Sequence, residues 1–149
     1  MNDLRELYQD MILEHYRSPR NFGSLNEAQK AEGFNPLCGD QLKVYMVLDG
    51  GRVNEIAFEG SGCAISTASA SLMTEAIKGK SLDEAQSLFE KFHSLVTSDP
   101  TTEPKIEGLG KLTVFAGVRE FPIRIKCATL AWHAMRAALK NEKTLVTTE

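Results

Sequence analysis

Apolar positions recur along this chain with two different periods, and the changes of period divide it. Near the start, Leu4, Leu7 and Met11, flanked by Tyr8 and Ile12, repeat at helical spacing and predict an amphipathic helix over 3–17. Asp3 fits an N-cap, with Glu6 three residues on as its capping-box partner. The stretch Ser18-Pro19-Arg20-Asn21-Phe22-Gly23 ends that helix. Residues 24–34 are polar and read as irregular, with at most a short strand before Asn35. The period then falls to two. Leu42, Val44, Met46 and Leu48 alternate with Lys43, Tyr45 and Val47, as in a half-buried strand. Asp49-Gly50-Gly51 signals a tight turn, and Val53, Ile56 and Phe58 carry a return strand, so 42–60 predicts a hairpin.

Helical spacing returns after Cys63. The run Ala64 to Met73 is rich in small residues, which favours close backbone packing, and the helix extends to about Lys78 before Gly79. Ser81-Leu82-Asp83-Glu84 opens the next helix as a capping box, with Leu82, Ala85, Leu88, Phe89 and Phe92 as its core face. Two prolines and little apolar content make 98–108 a loop, and 109–118 fits a short helix. Pro122 starts a last helix to about 140, striped by Ile123, Cys127, Leu130, Ala131, Ala134 and Ala138. The tail from Thr144 to Glu149 is polar and expected to fray.

Composition narrows the function classes. A chain of 149 residues, 42% hydrophobic and 25% charged, fits one domain over 1–149 with a real core. The net charge of −3 gives no reason to expect nucleic acid as a partner. No apolar run approaches the roughly 18 residues that cross a bilayer, and the polar N-terminus lacks a signal peptide's apolar core. A cytoplasmic protein without structural disulfides is the expectation, which three cysteines, an odd number, support.

The hairpin gives those cysteines a geometry. Cys38 and Asp40 precede its first strand, with Gly39 between them, and Cys63 follows its second after Gly60-Ser61-Gly62. The open ends of a hairpin lie side by side, so Cys38 and Cys63 should be neighbours. Cys63 at a helix N-terminus is favoured as thiolate. Cys127 lies in the first turns of the last helix, and Arg124 and Lys126 beside it could offset negative charge and lower its pKa. Three sulfurs and one carboxylate suit tetrahedral zinc, and thiolates also suit iron–sulfur clusters. The spacing is no CxxC pattern, and the residues alone leave unrelated buried cysteines as an equal reading. His15, His93 and His133 read as isolated structural or surface residues; His133 lies about 240° around the helix from Cys127.

Four segments carry a resemblance. Asn35-Pro36-Leu37-Cys38-Gly39-Asp40, Gly60-Ser61-Gly62-Cys63-Ala64-Ile65-Ser66, Lys126-Cys127-Ala128-Thr129-Leu130 and His15-Tyr16-Arg17-Ser18-Pro19-Arg20-Asn21-Phe22-Gly23 resemble the IscU/SufU/NifU-N family of iron–sulfur cluster assembly proteins. IscU-type scaffolds carry His just before their third Cys, where this chain has Lys126. They also carry a Leu-Pro-Pro-Val-Lys segment read by a dedicated Hsp70 chaperone, where Phe121-Pro122-Ile123-Arg124-Ile125-Lys126 stands here. These departures, and the longer spacing from Cys63 to Cys127, match the SufU-type branch of zinc-dependent sulfurtransferases. The resemblance implies an α+β fold, a small antiparallel sheet of about three strands covered by helices. It implies Cys38, Asp40, Cys63 and Cys127 as zinc ligands. It implies sulfur transfer from a PLP-dependent cysteine desulfurase of the SufS type to Cys38, and onward to downstream assembly proteins or apo-acceptors. PLP would be the partner's cofactor. The alternative within the family is a scaffold on which a transient [2Fe–2S] cluster is built and handed on. Gly39 is then expected to spare the approaching desulfurase a side chain.

Overall fold

The computed structural model describes residues 2–142 and 145–148, with side chains from residue 6 onward. Helix α1 (Asn2–Arg17) leads into strands β1 (Gln29–Asn35), β2 (Asp40–Asp49) and β3 (Arg52–Ser61). Helices α2 (Ala64–Ile77) and α3 (Leu82–Thr97) follow, then a run of 3₁₀ turns at Gly110–Glu120, helix α4 (Pro122–Leu139) and the short strand β4 (Val146–Thr147). The architecture is α+β, as expected. The sheet has four strands in the order β3-β2-β1-β4, antiparallel except for the parallel pair β1–β4.

Two differences from the sequence reading concern that sheet. The stretch read as irregular, with at most a short strand before Asn35, holds the seven-residue β1, paired along its whole length with β2. Its inward positions are Ala31, Gly33 and Asn35, too small or polar to print a hydrophobic alternation. They are small because α4 lies on them: a Cβ at Gly33 would stand 3.0 Å from Leu130 Cδ1. The tail expected to fray pairs instead with β1, Gly33 opposite Val146 and Phe34 opposite Thr147; Thr144 and Glu149 lie outside the described residues.

The hairpin turns at Asp49-Gly50-Gly51, where both glycines have positive φ (59° and 79°). The free edge of β3 is met by the segment after α1: Gly23 donates to the Phe58 carbonyl (2.8 Å), and the Phe58 amide donates to Asn21 (3.0 Å). Helix α4 crosses the sheet, and α2 packs between α4 and α1. The small residues of α2 do permit close approach, since Ser69 Oγ donates to the Ala128 carbonyl at 2.6 Å and accepts from Trp132 Nε1 at 3.1 Å. Trp132, wholly buried, stacks on Phe92 at 4.5 Å, and Phe92 meets Phe115 edge-on at 5.7 Å, tying α3 and the 3₁₀ run to the core. Ser81 forms the expected capping box with Glu84.

Helix α1 packs on a different stripe from the one its hydropathy predicts. It begins at Asn2, and the side chains of Asp3 and Leu4 lie outside the described set. Leu7 is 56% exposed, whereas Tyr8, Met11 and Ile12 pack on the core and His15 is buried. The polar His15 belongs to the buried stripe because α2 supplies it a partner. Ser71 Oγ accepts the Arg20 amide (2.8 Å) and is hydrogen-bonded to His15 Nδ1 (2.7 Å), and the ring's Nε2 lies 3.8 Å from Glu75. Burial, then the Arg20 charge, holds the His15 pKa below the ordinary histidine value. The other two histidines are not isolated either: His93 and His133 meet at 5.7 Å between their rings, and both contact Phe89. Ile123, assigned to the buried stripe of α4, is 55% exposed in the helix's first turn.

Candidate metal centre

Asn35 and Asp40 face each other as the last register pair of β1 and β2, so Pro36-Leu37-Cys38-Gly39 is the turn joining them. The Gly39 amide donates to the Asn35 carbonyl at 2.8 Å and closes that turn. Cys38 therefore stands at a hairpin tip and is exposed. Gly39 sits at φ +71°, and a Cβ there would meet nothing within 4 Å. Within the chain the need for glycine is thus conformational.

Asp40 opens β2 with no exposed surface. Its Oδ1 accepts the Cys63 backbone amide at 2.9 Å, which joins the two ends of the β2–β3 hairpin across their register. Its Oδ2 lies 3.4 Å from Asn35 Nδ2 and 3.9 Å from Cys63 Sγ. Gly62 makes this approach possible, since a Cβ there would stand 2.7 Å from Asp40 Oδ1.

Cys63 is the N-cap of α2, at φ −71° and ψ 171°, and its Sγ accepts the Ser66 amide at 3.4 Å. A thiol here does the work usually done by Ser or Asp. Cys127 arrives from α4, 1% exposed, with its Sγ 3.2 Å from Cys38 Sγ and 3.4 Å from Asn35 Nδ2. Sequence reasoning quoted Asn35 and Gly62 in motifs without giving either a role at the site; an Asn before Pro and a Gly before Cys were the only signals.

The donor atoms of Cys38, Asp40 and Cys127 lie within 4.8 Å of one another. Cys63 stands just outside that set, against Asp40. Ligands of tetrahedral zinc at about 2.3 Å from the ion are about 3.7 Å apart, so the spacing fits an ion with little rearrangement. A hydrogen bond from Cys127, with help from the Ser66 amide and against burial and Asp40, pulls the Cys63 thiol down to about 7. The same bond, burial and the neighbouring Cys38 and Asp40 push the Cys127 thiol up. That corrects the expectation that Arg124 and Lys126 lower it. Arg124 instead lies over the Phe121 ring, 4.4 Å from its centroid. Among the described residues no lysine or arginine pairs with Asp40. Three thiols and a carboxylate thus crowd together, a donor set whose ionised form a divalent metal would neutralise in part.

Comparison with known proteins follows the same line. The model of the NifU-like N-terminal domain matches residues 7–128. The zinc-dependent sulfurtransferase SufU of Bacillus subtilis is 43% identical over 141 residues, 95% of each chain. The iron–sulfur cluster assembly scaffold protein IscU of Streptococcus pyogenes is 39% identical, over 95% of this chain and 87% of its own. Among solved structures, a candidate scaffold for the SUF system from Fervidobacterium islandicum superposes with a TM-score of 0.81 at 32% identity, covering 87% of this chain and 94% of that one. With the family match spanning most of the sequence and relatives of this identity covering nearly all of it, the chain belongs to the NifU-like N-terminal domain family, with SufU and IscU among its relatives.

Proposed function

We propose that this protein serves iron–sulfur cluster assembly as a zinc-holding sulfur acceptor, with Cys38, Asp40, Cys63 and Cys127 as the metal ligands. Bound there, zinc keeps thiolates ionised at neutral pH and offsets their charge. One observation carries the acceptor role: the donors differ sharply in access. Asp40 and Cys127 are buried at 0% and 1% exposure and Cys63 is half-buried, whereas Cys38 is exposed on a turn. A sulfur donor can reach Cys38 without unfolding the site. The Cys38 thiolate attacks the terminal sulfur of the donor's persulfide; that S–S bond breaks, the donor cysteine leaves as thiolate, and Cys38 carries the persulfide. The donor is a PLP-dependent cysteine desulfurase of the SufS type, and the sulfur passes on to cluster assembly. Two things support this over the scaffold alternative: the name of the B. subtilis relative and the presence of Lys126 in the position of the IscU-type histidine.

The test combines metal analysis with a desulfurase assay. About one zinc per chain, and stimulation of the desulfurase that vanishes in Cys38→Ala, are expected. A Cys38→Ala protein that stimulates fully and still takes up sulfur refutes the acceptor role. A stable [2Fe–2S] cluster that forms anaerobically and transfers intact to an apo-acceptor would establish the scaffold reading instead.

A further inference from the structure

The donors differ in anchoring as well as in access, and one side chain accounts for much of the difference. Asn35 is wholly buried at the end of β1. Its Nδ2 donates to Asp40 Oδ2 and to Cys127 Sγ, both at 3.4 Å, so a single amide bridges a donor on β2 and a donor on α4. Its Oδ1 accepts the Leu37 amide at 3.2 Å, and its carbonyl accepts the Gly39 amide. Asp40 is held a second time by the Cys63 amide, and Cys63 by the Ser66 amide. The only hydrogen bond recorded for Cys38 Sγ among the described residues is the one to Cys127, itself a donor to the metal.

We propose that Asn35 is a positioning residue that fixes Asp40 and Cys127 in the metal site and thereby leaves Cys38 as the donor free to exchange. The inference rests on the metal-holding role proposed above. Outer-shell groups that orient ligands typically change metal affinity 10- to 100-fold when removed. An amide N–H directed at a sulfur also favours its thiolate form.

Asn35→Asp is the discriminating variant. It keeps an acceptor for the Leu37 amide and replaces the bridging donor with an acceptor. Asn35→Ala, which removes both, is the second variant, and circular dichroism with thermal melting of the metal-free proteins checks that each folds. Three readouts apply to folded protein: zinc affinity by competition with a chromophoric chelator, the absorption bands of the cobalt(II)-substituted protein, and the order in which the cysteines of zinc-loaded protein are alkylated, mapped by mass spectrometry. The expected result is a 10- to 100-fold loss of affinity, shifted cobalt bands, and a Cys127 alkylation rate that approaches that of Cys38. Wild-type affinity, bands and alkylation order in a folded Asn35 variant overturn the inference while leaving the metal-holding role intact. A wild-type chain that takes up neither zinc nor cobalt overturns both, and is recognised before any variant is made.

Discussion

Gly62→Ala isolates the contact that joins the two ends of the hairpin. The glycine is needed for space, not for conformation, since its φ lies outside the left-handed region. A Cβ there would stand 2.7 Å from Asp40 Oδ1 and 3.2 Å from Cγ. Ordinary contact begins near 3.4 Å, so the carboxylate must retreat by about 0.7 Å. That takes Oδ1 from 2.9 Å to beyond hydrogen-bonding range of the Cys63 amide. A hydrogen bond to a buried charged group contributes about 1.5–3 kcal/mol, and partial relaxation of the hairpin ends should leave a loss of about 1–2 kcal/mol in the metal-free protein. Urea unfolding after chelation measures it. Zinc affinity should fall about 10- to 100-fold, because Asp40 is displaced from the other donors. The decisive comparison repeats Gly62→Ala in an Asp40→Ala background, where the added methyl meets no carboxylate. There it should cost less than about 0.5 kcal/mol, so the cycle should give a coupling near 1–2 kcal/mol. Equal costs in the two backgrounds would refute the contact as the cause.

Four further outcomes follow from single features. Cys63→Ser retains a helix-capping oxygen while removing a sulfur, so the metal-free melting temperature should hold within a few degrees while zinc binding weakens at least tenfold; a matched loss of both would make Cys63 a structural residue only. Gly39→Ala places a Cβ at φ +71°, and urea unfolding should register about 1 kcal/mol of destabilisation, with Gly39→Asn milder. His133 is held down to about 4, by burial first and then by the charges of Arg136 and His93. Its native form is the neutral one, so its contribution is complete above about pH 6.5 and is lost as pH falls from there toward 4. At about 1.4 kcal/mol per pH unit the ceiling is about 3 kcal/mol, and solvent access to the ring reduces this to about 1–2; urea midpoints between pH 7.5 and 4 should fall less steeply in His133→Gln. Ser81→Ala removes one half of the α3 capping box and should lower stability by about 1 kcal/mol in thermal unfolding.

What the sequence made legible was whatever a periodic pattern or a turn residue announces. The β2–β3 hairpin, the α3 box and the start of α4 at Pro122 all lie where their residues place them. The hairpin alone predicted Cys38 beside Cys63; the structure sets Cys63 against Asp40 and Cys38 Sγ against Cys127 Sγ. Features that depend on a partner element were hidden. The full length of β1 was hidden because α4 demands Gly33 and Ala31 where alternation would show large residues. The buried stripe of α1 was misread because its fourth member is His15, whose burial makes sense only beside Ser71. Asn35 was visible as the residue before Pro36, but its bridge to Cys127 spans 92 positions and has no local signature. The direction of the Cys127 shift has the same character: Arg124 and Lys126 are its neighbours in sequence, but the bond to Cys63, burial and Cys38 decide it.

The origin of each donor bears on how metal and fold depend on one another. Cys38 comes from the β1–β2 turn, Asp40 from the first residue of β2, Cys63 from the start of α2 and Cys127 from α4, so an ion bound by all four would cross-link segments from both ends of the chain. Asp40, Cys63 and Asn35 are joined by hydrogen bonds of their own. The core beneath them is also complete: Gly33 receives Leu130 one turn below Cys127, and Trp132 locks α4 to α2 through Ser69. The positions of the buried donors are therefore set by packing. Metal binding should add to a fold that exists without it, by the linkage expected of a ligand for the native state, unlike small domains that fold only around their zinc. This separation of roles is what an exchangeable site requires. If the fold depended on the metal, release of Cys38 to a sulfur donor would put the whole structure at risk. Under the proposed function, Asp40 on β2 and Cys127 on α4, both bridged by Asn35, would keep their places while Cys38 on the turn departs.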